Sequence, residues 1–167
     1  KPHLQTLTAV SGETSTLAIR YGFEALYIER VESPRLVRAS TIGSRMPLHC
    51  TAIGKVLLTS LGDSEFERFV QTKGLPVRTA NTLTDANRLK EHLSQVRKQG
   101  YAIDNEEFEV GLVCIGAPVF DFASNVIAAV GISVPLMRAG DDNLPELVSA
   151  VLSAAQAMSV EMGFQLT

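Results

Sequence analysis

The chain has 167 residues, 46% hydrophobic and 20% charged, which is enough for one domain with a substantial apolar core. Its formal net charge is −3 and its longest basic run is Arg97-Lys98, which argues against direct DNA or RNA binding. No apolar run reaches the ~18 residues of a membrane helix and no signal peptide is visible. The two isolated cysteines fit a reducing cytoplasm. Because the first residue is Lys1, we expect a fragment of a longer chain.

The first third of the chain is predicted to form one helix followed by three strands. Leu4, Leu7 and Val10 have the spacing of one helix face, and the helix is expected to end at Ser11-Gly12. Residues 14–20, 23–31 and 36–42 are rich in aliphatic residues and threonine and are bounded by turn residues, so each is predicted to be a strand.

The middle of the chain is predicted to be helical. Thr51 is the expected N-cap of a first helix that ends at Gly62. Ser64-x-x-Glu67 has the pattern of a capping box for a second helix, ending at Gly74, and residues 75–82 are expected to be loop. Thr84 is the expected cap of a third helix, which Gly100 ends.

The last third is predicted to return to strands over residues 101–105, 112–120 and 126–134, and to close with a long amphipathic helix over 144–162. This order predicts an α+β domain in which helices pack on a mostly antiparallel sheet.

Two neighbouring strands carry small residues on one face, namely Cys114 and Gly116 on one strand and Gly131 and Ser133 on the other. Such faces leave room for a small ligand, or they lie under a closely packed helix, and the pattern alone favours the helix. Cys114 and Ser133 share a face if residues 122–125 form a four-residue turn, whereas a five-residue turn separates them. The helix after Thr51 offers free backbone N–H groups for an anion, which by itself is a weak signal.

The sequence gives little support to an enzyme. His49 and Cys50 are adjacent, so in a strand their side chains point to opposite faces and make a poor catalytic pair. Cys114 is expected to be a small buried hydrophobic residue, and His3 and His92 are expected at the surface.

No metal or nucleotide motif is present, and we expect no cofactor. A carboxylate pair at Glu106-Glu107, near Asp104, could act in acid–base chemistry, but a solvated turn is the favoured interpretation.

Several motifs resemble those of the IclR family of bacterial transcription regulators, and the similarity spans essentially the whole chain. The strongest is Gly100-x3-Asp104-x2-Glu107-x6-Cys114-Ile115-Gly116-x2-Val119-Phe120-Asp121. A second hallmark covers residues 43–49 and 51–55, and residues 6–14 and 161–164 also fit.

The resemblance implies a GAF-like effector-binding domain with a central antiparallel sheet flanked by helices, and no enzymatic activity. It also implies a winged helix-turn-helix domain, absent from this chain, that contacts DNA. Family members form dimers or tetramers, and their effectors are often keto, hydroxy, sugar or aromatic acids. We therefore expect residues 1–167 to bind a small carboxylate metabolite that controls DNA binding.

The effector positions of the family correspond to nine residues of this chain: Ala39, Ser40, Ala52, Ile53, Asp104, Leu112, Cys114, Gly131 and Ser133. By this resemblance, backbone N–H groups of Ala52 and Ile53 meet the effector carboxylate. Several relatives carry serine where this chain has Gly131, so one hydroxyl donor is missing. The alternatives are a ligand-free oligomerisation module and, less favoured, a cysteine-dependent enzyme.

Overall fold

The computed structural model describes residues 1–35 and 41–165 of the chain. These residues form a six-stranded sheet in the order β3-β2-β1-β6-β5-β4, in which every neighbouring pair is antiparallel. The strands are β1 (Thr14–Tyr21), β2 (Glu24–Val31), β3 (Arg45–Pro47), β4 (Ala102–Asn105), β5 (Leu112–Phe120) and β6 (Val126–Pro135). The predicted α+β class and antiparallel sheet are confirmed.

Helices cover both faces of the sheet, as expected for a strand pattern in which each face buries apolar side chains. They are α1 (Pro2–Ser11), α2 (Ala52–Leu58), α3 (Asp63–Lys73), α4 (Ala86–Gln99) and α5 (Leu144–Glu161). On one face, α1 and α5 pack against alternate residues of β6 such as Val130 and Ile132. On the other face, α2, α3 and α4 form a second apolar cluster that includes Ala129. Among the described helices, none is long and apolar enough to cross a membrane.

The β5–β6 hairpin has the predicted pairing, with Cys114 opposite Ser133, but reaches it differently. Val119 pairs with Ala128 whereas Phe120 pairs with Val126, so Ile127 is an extra residue that forms a bulge. The turn between the paired residues 120 and 126 therefore has five residues, not four, and the bulge restores the register. The expectation that a five-residue turn would separate the pair is wrong for this reason.

The predicted helix limits need three corrections. Thr51 caps α2 as expected, its hydroxyl accepting the N–H of Gly54, but α2 ends at Leu58 because Thr59 and Ser60 bond back to its last carbonyl groups. The N-cap of α3 is Gly62, so the capping box at Ser64 is wrong. The N-cap of α4 is Asp85, whose carboxylate accepts the N–H of Arg88, and not Thr84.

The predicted third strand, 36–42, lies mostly outside the described residues, and Thr41 and Ile42 are not in a strand. Strand β3, an edge strand of three residues that pairs with the start of β2, was not predicted. So short a strand gives no periodic signal. Val10 shares the helical spacing of the buried Leu4 and Leu7, but it is 71% exposed.

Buried polar contacts join α1 to the sheet. The hydroxyl of Ser15 on β1 donates to the carbonyl of Leu4 over 2.9 Å, and it lies 2.8 Å from the hydroxyl of Thr8. Just before β1, the buried carboxylate of Glu13 accepts two hydrogen bonds from the guanidinium of Arg138, at 2.6 and 2.8 Å. These contacts fix α1 against β1 and join the start of β1 to the segment that follows β6.

Candidate ligand-binding cavity

A cavity of about 230 Å³ lies between the sheet and the start of α2. Its wall is completed by the cavity loop, which we define as residues 106–111 between β4 and β5. The lining residues are Thr16, Tyr27, Met46, Thr51, Ala52, Ile53, Asp104, Phe108, Glu109, Leu112, Cys114, Ile115, Gly131, Ile132 and Ser133. The volume suits a small organic molecule, and hydroxyl groups and one buried carboxyl are distributed over an otherwise apolar wall.

The structure brings seven of the nine predicted effector positions to this one cavity. They come from the start of α2, from β4, from β5 and from β6, and are Ala52, Ile53, Asp104, Leu112, Cys114, Gly131 and Ser133. The other two, Ala39 and Ser40, lie outside the described residues. The sheet register explains the convergence, because Asp104 pairs with Cys114 and Cys114 with Ser133 in one row across three strands.

The two glycines of the small-residue faces, Gly116 and Gly131, allow α2 to pack closely against the sheet. A Cβ atom on Gly116 would lie 3.1 Å from the backbone of Ala52 and Ile53, and one on Gly131 would lie 3.2 Å from the Ile53 side chain. A sheet face covered by a helix and a cavity are therefore both present. Both glycines lie under the helix, and Gly131 also lines the cavity together with Cys114 and Ser133, the next residues along each strand face.

Gly131 is also constrained by its own sheet neighbour. A Cβ atom there would lie 2.4 Å from the carbonyl oxygen of Ile115, which is closer than real Cβ contacts. The serine that the family resemblance implies at this position would need a shifted backbone here. Close packing of β5 and β6 therefore favours glycine at this position.

Asp104 is the buried acid of the cavity, with 2% of its surface exposed. Its Oδ1 accepts hydrogen bonds from the backbone N–H groups of Glu107 at 2.7 Å and Phe108 at 3.3 Å. Burial raises the pKa of this carboxyl to about 7, in spite of those two bonds and with a further upward contribution from the Glu107 charge. A substantial fraction of Asp104 is therefore neutral at physiological pH.

Glu107 corrects the expectation of a solvated turn, because only 6% of it is exposed. Its Oε1 accepts a hydrogen bond of 2.5 Å from the ammonium of Lys55, which is fully buried and also donates to the carbonyl of Ile103 at 2.6 Å. Glu107 Oε2 is buried and has no partner among the described residues. The ion pair joins α2, which carries the cavity's helix start, to the cavity loop.

Two threonines hold the cavity loop from the segment before α4. The hydroxyl of Thr82 donates to the carbonyl of Glu107 over 2.7 Å, and that of Thr79 donates to the carbonyl of Glu106 over 2.6 Å. Glu107 thus binds Asp104 through its N–H, Lys55 through its carboxylate and Thr82 through its carbonyl. Polar contacts therefore hold the first two residues of the cavity loop, Glu106 and Glu107, next to the two that line the cavity.

Eight lining residues were not predicted from the sequence: Thr16, Tyr27, Met46, Thr51, Phe108, Glu109, Ile115 and Ile132. Thr16 had a usable signal, since alternate positions of β1 carry small or hydroxyl side chains on the face that Gly131 shares. Tyr27 had none, because its contact with the cavity depends on the bulge between Leu17 and Ala18 in the β1–β2 pair.

Neither cysteine has the environment of a nucleophile. Burial raises the pKa of both thiols to about 12. His49 lies beside Cys50 in the sequence, but its Nε2 is 2.9 Å from the carbonyl of Pro76, and burial lowers its pKa. No described group of three or more His, Cys, Asp or Glu residues is arranged to hold a metal ion.

The remaining histidines differ from each other. His3 is partly exposed and its Nε2 is 2.9 Å from Glu161. His92 is half-buried, and its Nε2 is buried without a partner among the described residues. Burial lowers the pKa of His92 to about 4, so the ring is neutral near pH 7.

Similarity to known proteins covers nearly the whole chain. The family described as bacterial transcriptional regulator IclR, C-terminal, matches residues 1–160. The HTH-type transcriptional repressor AllR of Salmonella typhimurium is 39% identical over 165 residues, which cover 98% of this chain and 61% of that protein. The chain spans about three fifths of the length of the curated relatives it matches.

Two solved structures show the same fold. The IclR protein of Thermotoga maritima superposes with a TM-score of 0.92 at 33% identity, over 98% of this chain and 66% of that one. The inducer-binding domain of the PobR transcription factor from Acinetobacter, a double mutant in complex with 3-hydroxybenzoic acid, superposes with a TM-score of 0.86 at 27% identity. That match covers 95% of this chain and 94% of that one.

Proposed function

Because the chain belongs to the IclR family of bacterial transcriptional regulators, we propose that its cavity binds a small carboxylic acid as an effector. The named members of the family are regulators of transcription and not enzymes. The observation that carries the proposal is the convergence on one 230 Å³ cavity of seven residues from four separate segments. The PobR domain with its bound 3-hydroxybenzoic acid supports a carboxylate as the ligand class.

The cavity offers each part of such an acid a suitable contact. At the start of α2, the N–H groups of Ala52 and Ile53 have no carbonyl one turn earlier within the helix, so they are available to a carboxylate. The hydroxyl of Ser133 is a donor and acceptor for a keto or hydroxyl oxygen. Leu112 and Phe108 supply apolar contact for an alkyl chain or an aromatic ring.

The effector is proposed to act by shifting the populations of two arrangements of the domain or of its dimer. Binding favours the arrangement with the better-formed cavity. The free-energy difference between the two arrangements changes by the difference in their binding free energies for the effector. The DNA contact belongs, in this proposal, to a winged helix-turn-helix domain outside the chain. The regulator acts in the cytoplasm, where bacterial DNA lies.

Self-association as a dimer or tetramer is the second part of the proposal. A groove between α1 and α5 is lined by small and apolar residues, including the exposed Val10 together with Ala150, Ala154 and Ala157. Burying this face against a second copy would remove apolar surface from water. Light scattering after size-exclusion chromatography is expected to give the mass of a dimer or a larger species. Val10→Glu is expected to weaken this self-association and to lower the measured mass. A wild-type monomer at high concentration would contradict this part.

Ligand binding is tested by the melting temperature of the domain with four probe acids: pyruvate, lactate, gluconate and 3-hydroxybenzoate. A ligand at ~100 times its Kd adds about 2.7 kcal/mol of stability, or roughly 5–10 °C for a domain of this size. Ser133→Ala is expected to reduce the shift, whereas the matched Ser64→Ala on the exposed surface of α3 should leave it unchanged.

A second variant, Ala52→Phe, is expected to fill the cavity and abolish the shift. The melting temperature of Ala52→Phe without ligand shows whether this variant folds. If it does not fold, Ser133→Ala alone tests whether the ligand binds in the cavity. A shift that persists in both cavity variants would place the ligand elsewhere. No shift with any of the four acids would favour a ligand-free oligomerisation module.

A further inference from the structure

The charge of the cavity wall is unfavourable for the anion that it is proposed to bind. Among the lining residues that the structure describes, none is Lys, Arg or His, and two are acids, Asp104 and Glu109. Glu109 is exposed at the edge, whereas Asp104 is buried and 2% exposed. A ligand carboxylate beside an ionised Asp104 would place two like charges in a medium of low dielectric constant, where their repulsion is strong.

The hydrogen bonds of Asp104 leave one oxygen for a ligand. Oδ1 is occupied by the N–H groups of Glu107 and Phe108. No described group donates to Oδ2, although the residue lines the cavity. Because the backbone donors already hold Oδ1, a proton on this carboxyl belongs on Oδ2, where it is a donor available to a ligand.

The groups that face Asp104 from other elements do not neutralise it. Lys55 on α2 gives its ammonium to Glu107 and to the carbonyl of Ile103, so its positive charge is matched by the Glu107 carboxylate. Cys114 on β5 pairs directly with Asp104, and the thiol of Cys50 and the phenol of Tyr27 on β2 also feel its charge. These three groups are neutral near pH 7, since burial is the main cause that raises the pKa of each.

We propose that the effector carboxylate binds to the neutral form of Asp104, whose Oδ2–H donates a hydrogen bond to it, so that ligand and proton bind together. This inference rests on the proposed carboxylate effector and specifies the chemistry of its recognition. Two carboxyl groups that share one proton form a short, charge-assisted O–H···O⁻ hydrogen bond, and the pair carries one negative charge instead of two.

The protonation needed is accessible at physiological pH. Burial raises the pKa of Asp104 to about 7, whereas a free aspartate is almost fully ionised there. Ordinary carboxylic acids have pKa values of about 3.5–4.5 and are ionised throughout the neutral range. Above pH 7, each effector molecule that binds therefore takes up about one proton from solvent, and this proton resides on Asp104.

Titration calorimetry at pH 6 and pH 8.5 with the same four acids tests the inference. For an acid that binds, the wild-type affinity is expected to fall about thirtyfold between these pH values, because each unit above pKa 7 lowers the neutral fraction about tenfold. Titrations at pH 8 in two buffers of different ionisation heat should show an uptake of about one proton.

Asp104→Asn is the informative variant, because its Oδ1 can still accept the two backbone bonds while its amide N–H takes the place of the Oδ2 proton. We expect it to bind within a few-fold of the wild type at pH 6 and to bind equally well at pH 8.5. Asp121→Asn, in the exposed β5–β6 turn, is the control and should keep the wild-type pH dependence.

The proton coupling is overturned if the wild type binds with equal affinity at both pH values. It is also overturned if Asp104→Asn loses binding. Either result leaves the proposed function in place. No binding of any of the four acids at pH 6 overturns the proposed carboxylate effector, and the proton coupling with it.

Discussion

The Cys114 thiol and the Ser133 hydroxyl face each other across β5 and β6, with Sγ donating to Oγ over 3.5 Å. Both side chains line the cavity, and their pairing depends on the bulge at Ile127. The Cys114 thiol is thus a neutral hydrogen-bond donor in the cavity wall, and a neutral thiol reacts slowly with thiol reagents.

Both thiols should react slowly with Ellman's reagent in the folded domain. With a pKa near 12, each is expected to be labelled about a thousandfold more slowly at pH 8 than in denaturant. Cys50→Ala isolates Cys114, and Cys114→Ala isolates Cys50. A bound effector should slow Cys114 further and leave Cys50 unchanged. Fast labelling of either thiol would support the cysteine-dependent enzyme.

Substituting Gly131 should be costly although the change is small. Gly131→Ala is expected to lower the free energy of unfolding by about 1–3 kcal/mol, because its Cβ would meet the Ile115 carbonyl and the sheet would have to shift. Gly140→Ala is the control, since nothing lies within 4 Å of its Cβ position. Urea denaturation measures both. Equal effects of the two changes would contradict the close packing of β5 and β6.

The Lys55–Glu107 pair should be far more important to stability than the surface pairs. Lys55→Met leaves a buried carboxylate without its partner, and we expect it to cost about 3–5 kcal/mol. Lys90→Met, which removes partly exposed contacts to Asp63, Glu67 and the ring of Phe66, should cost less than about 1 kcal/mol.

The double variant Lys55→Met/Glu107→Leu is the complement, because it removes both charges and should recover at least half of the lost stability. If the double variant is no more stable than Lys55→Met, the buried charge of Glu107 is not the cause.

Asp104 should make the domain less stable as the pH rises. Its pKa is higher in the folded state, at about 7, than the ordinary value of 3.8, so between these values the folded state binds the extra proton. The destabilisation is absent below about pH 4, grows by up to about 1.4 kcal/mol per pH unit, and is complete above about pH 7.

Denaturation curves from pH 4 to pH 8 give the free energy of unfolding of the wild type and of Asp104→Asn, which has no ionisable group at this position. The difference between the two free energies measures the effect of Asp104. Asp121 is the opposite case: its pKa is lowered by hydrogen bonds from Asn125, so its contribution is present at neutral pH and lost in acid. A constant difference between wild type and Asp104→Asn over this range would show that Asp104 is ionised throughout.

The sheet and its flanking helices could be predicted because their patterns are long. Strands β5 and β6 alternate over nine or ten residues, and the apolar stripe of α5 continues through five turns. The short elements could not be predicted. A strand of three residues such as β3 shows no periodic pattern. The end of α2 at Leu58 is set by the hydroxyls of Thr59 and Ser60 rather than by the glycine four residues later.

The site was predictable where the family motif specified positions and not where distant segments meet. Asp104 and Ser133 could be named from the sequence, but the burial of Glu107 could not. It depends on Lys55, 52 residues earlier, and on Thr82, 25 residues earlier, and nothing local distinguishes it from the neighbouring Glu106. A pair of adjacent acids in a turn usually faces water, and here tertiary contacts reverse that expectation for one of them.

Consecutive residues of β1 serve opposite sides of the sheet. Thr16 lines the cavity, and Ser15, next to it in the chain, holds α1 through Leu4 and Thr8. Only one layer of backbone therefore separates a molecule in the cavity from the helix that begins the chain. Coupling between the cavity and α1 therefore needs no chain of intermediate side chains. A small rotation of β1 about its own axis moves the side chains on its cavity face and those on its α1 face at once, in opposite directions.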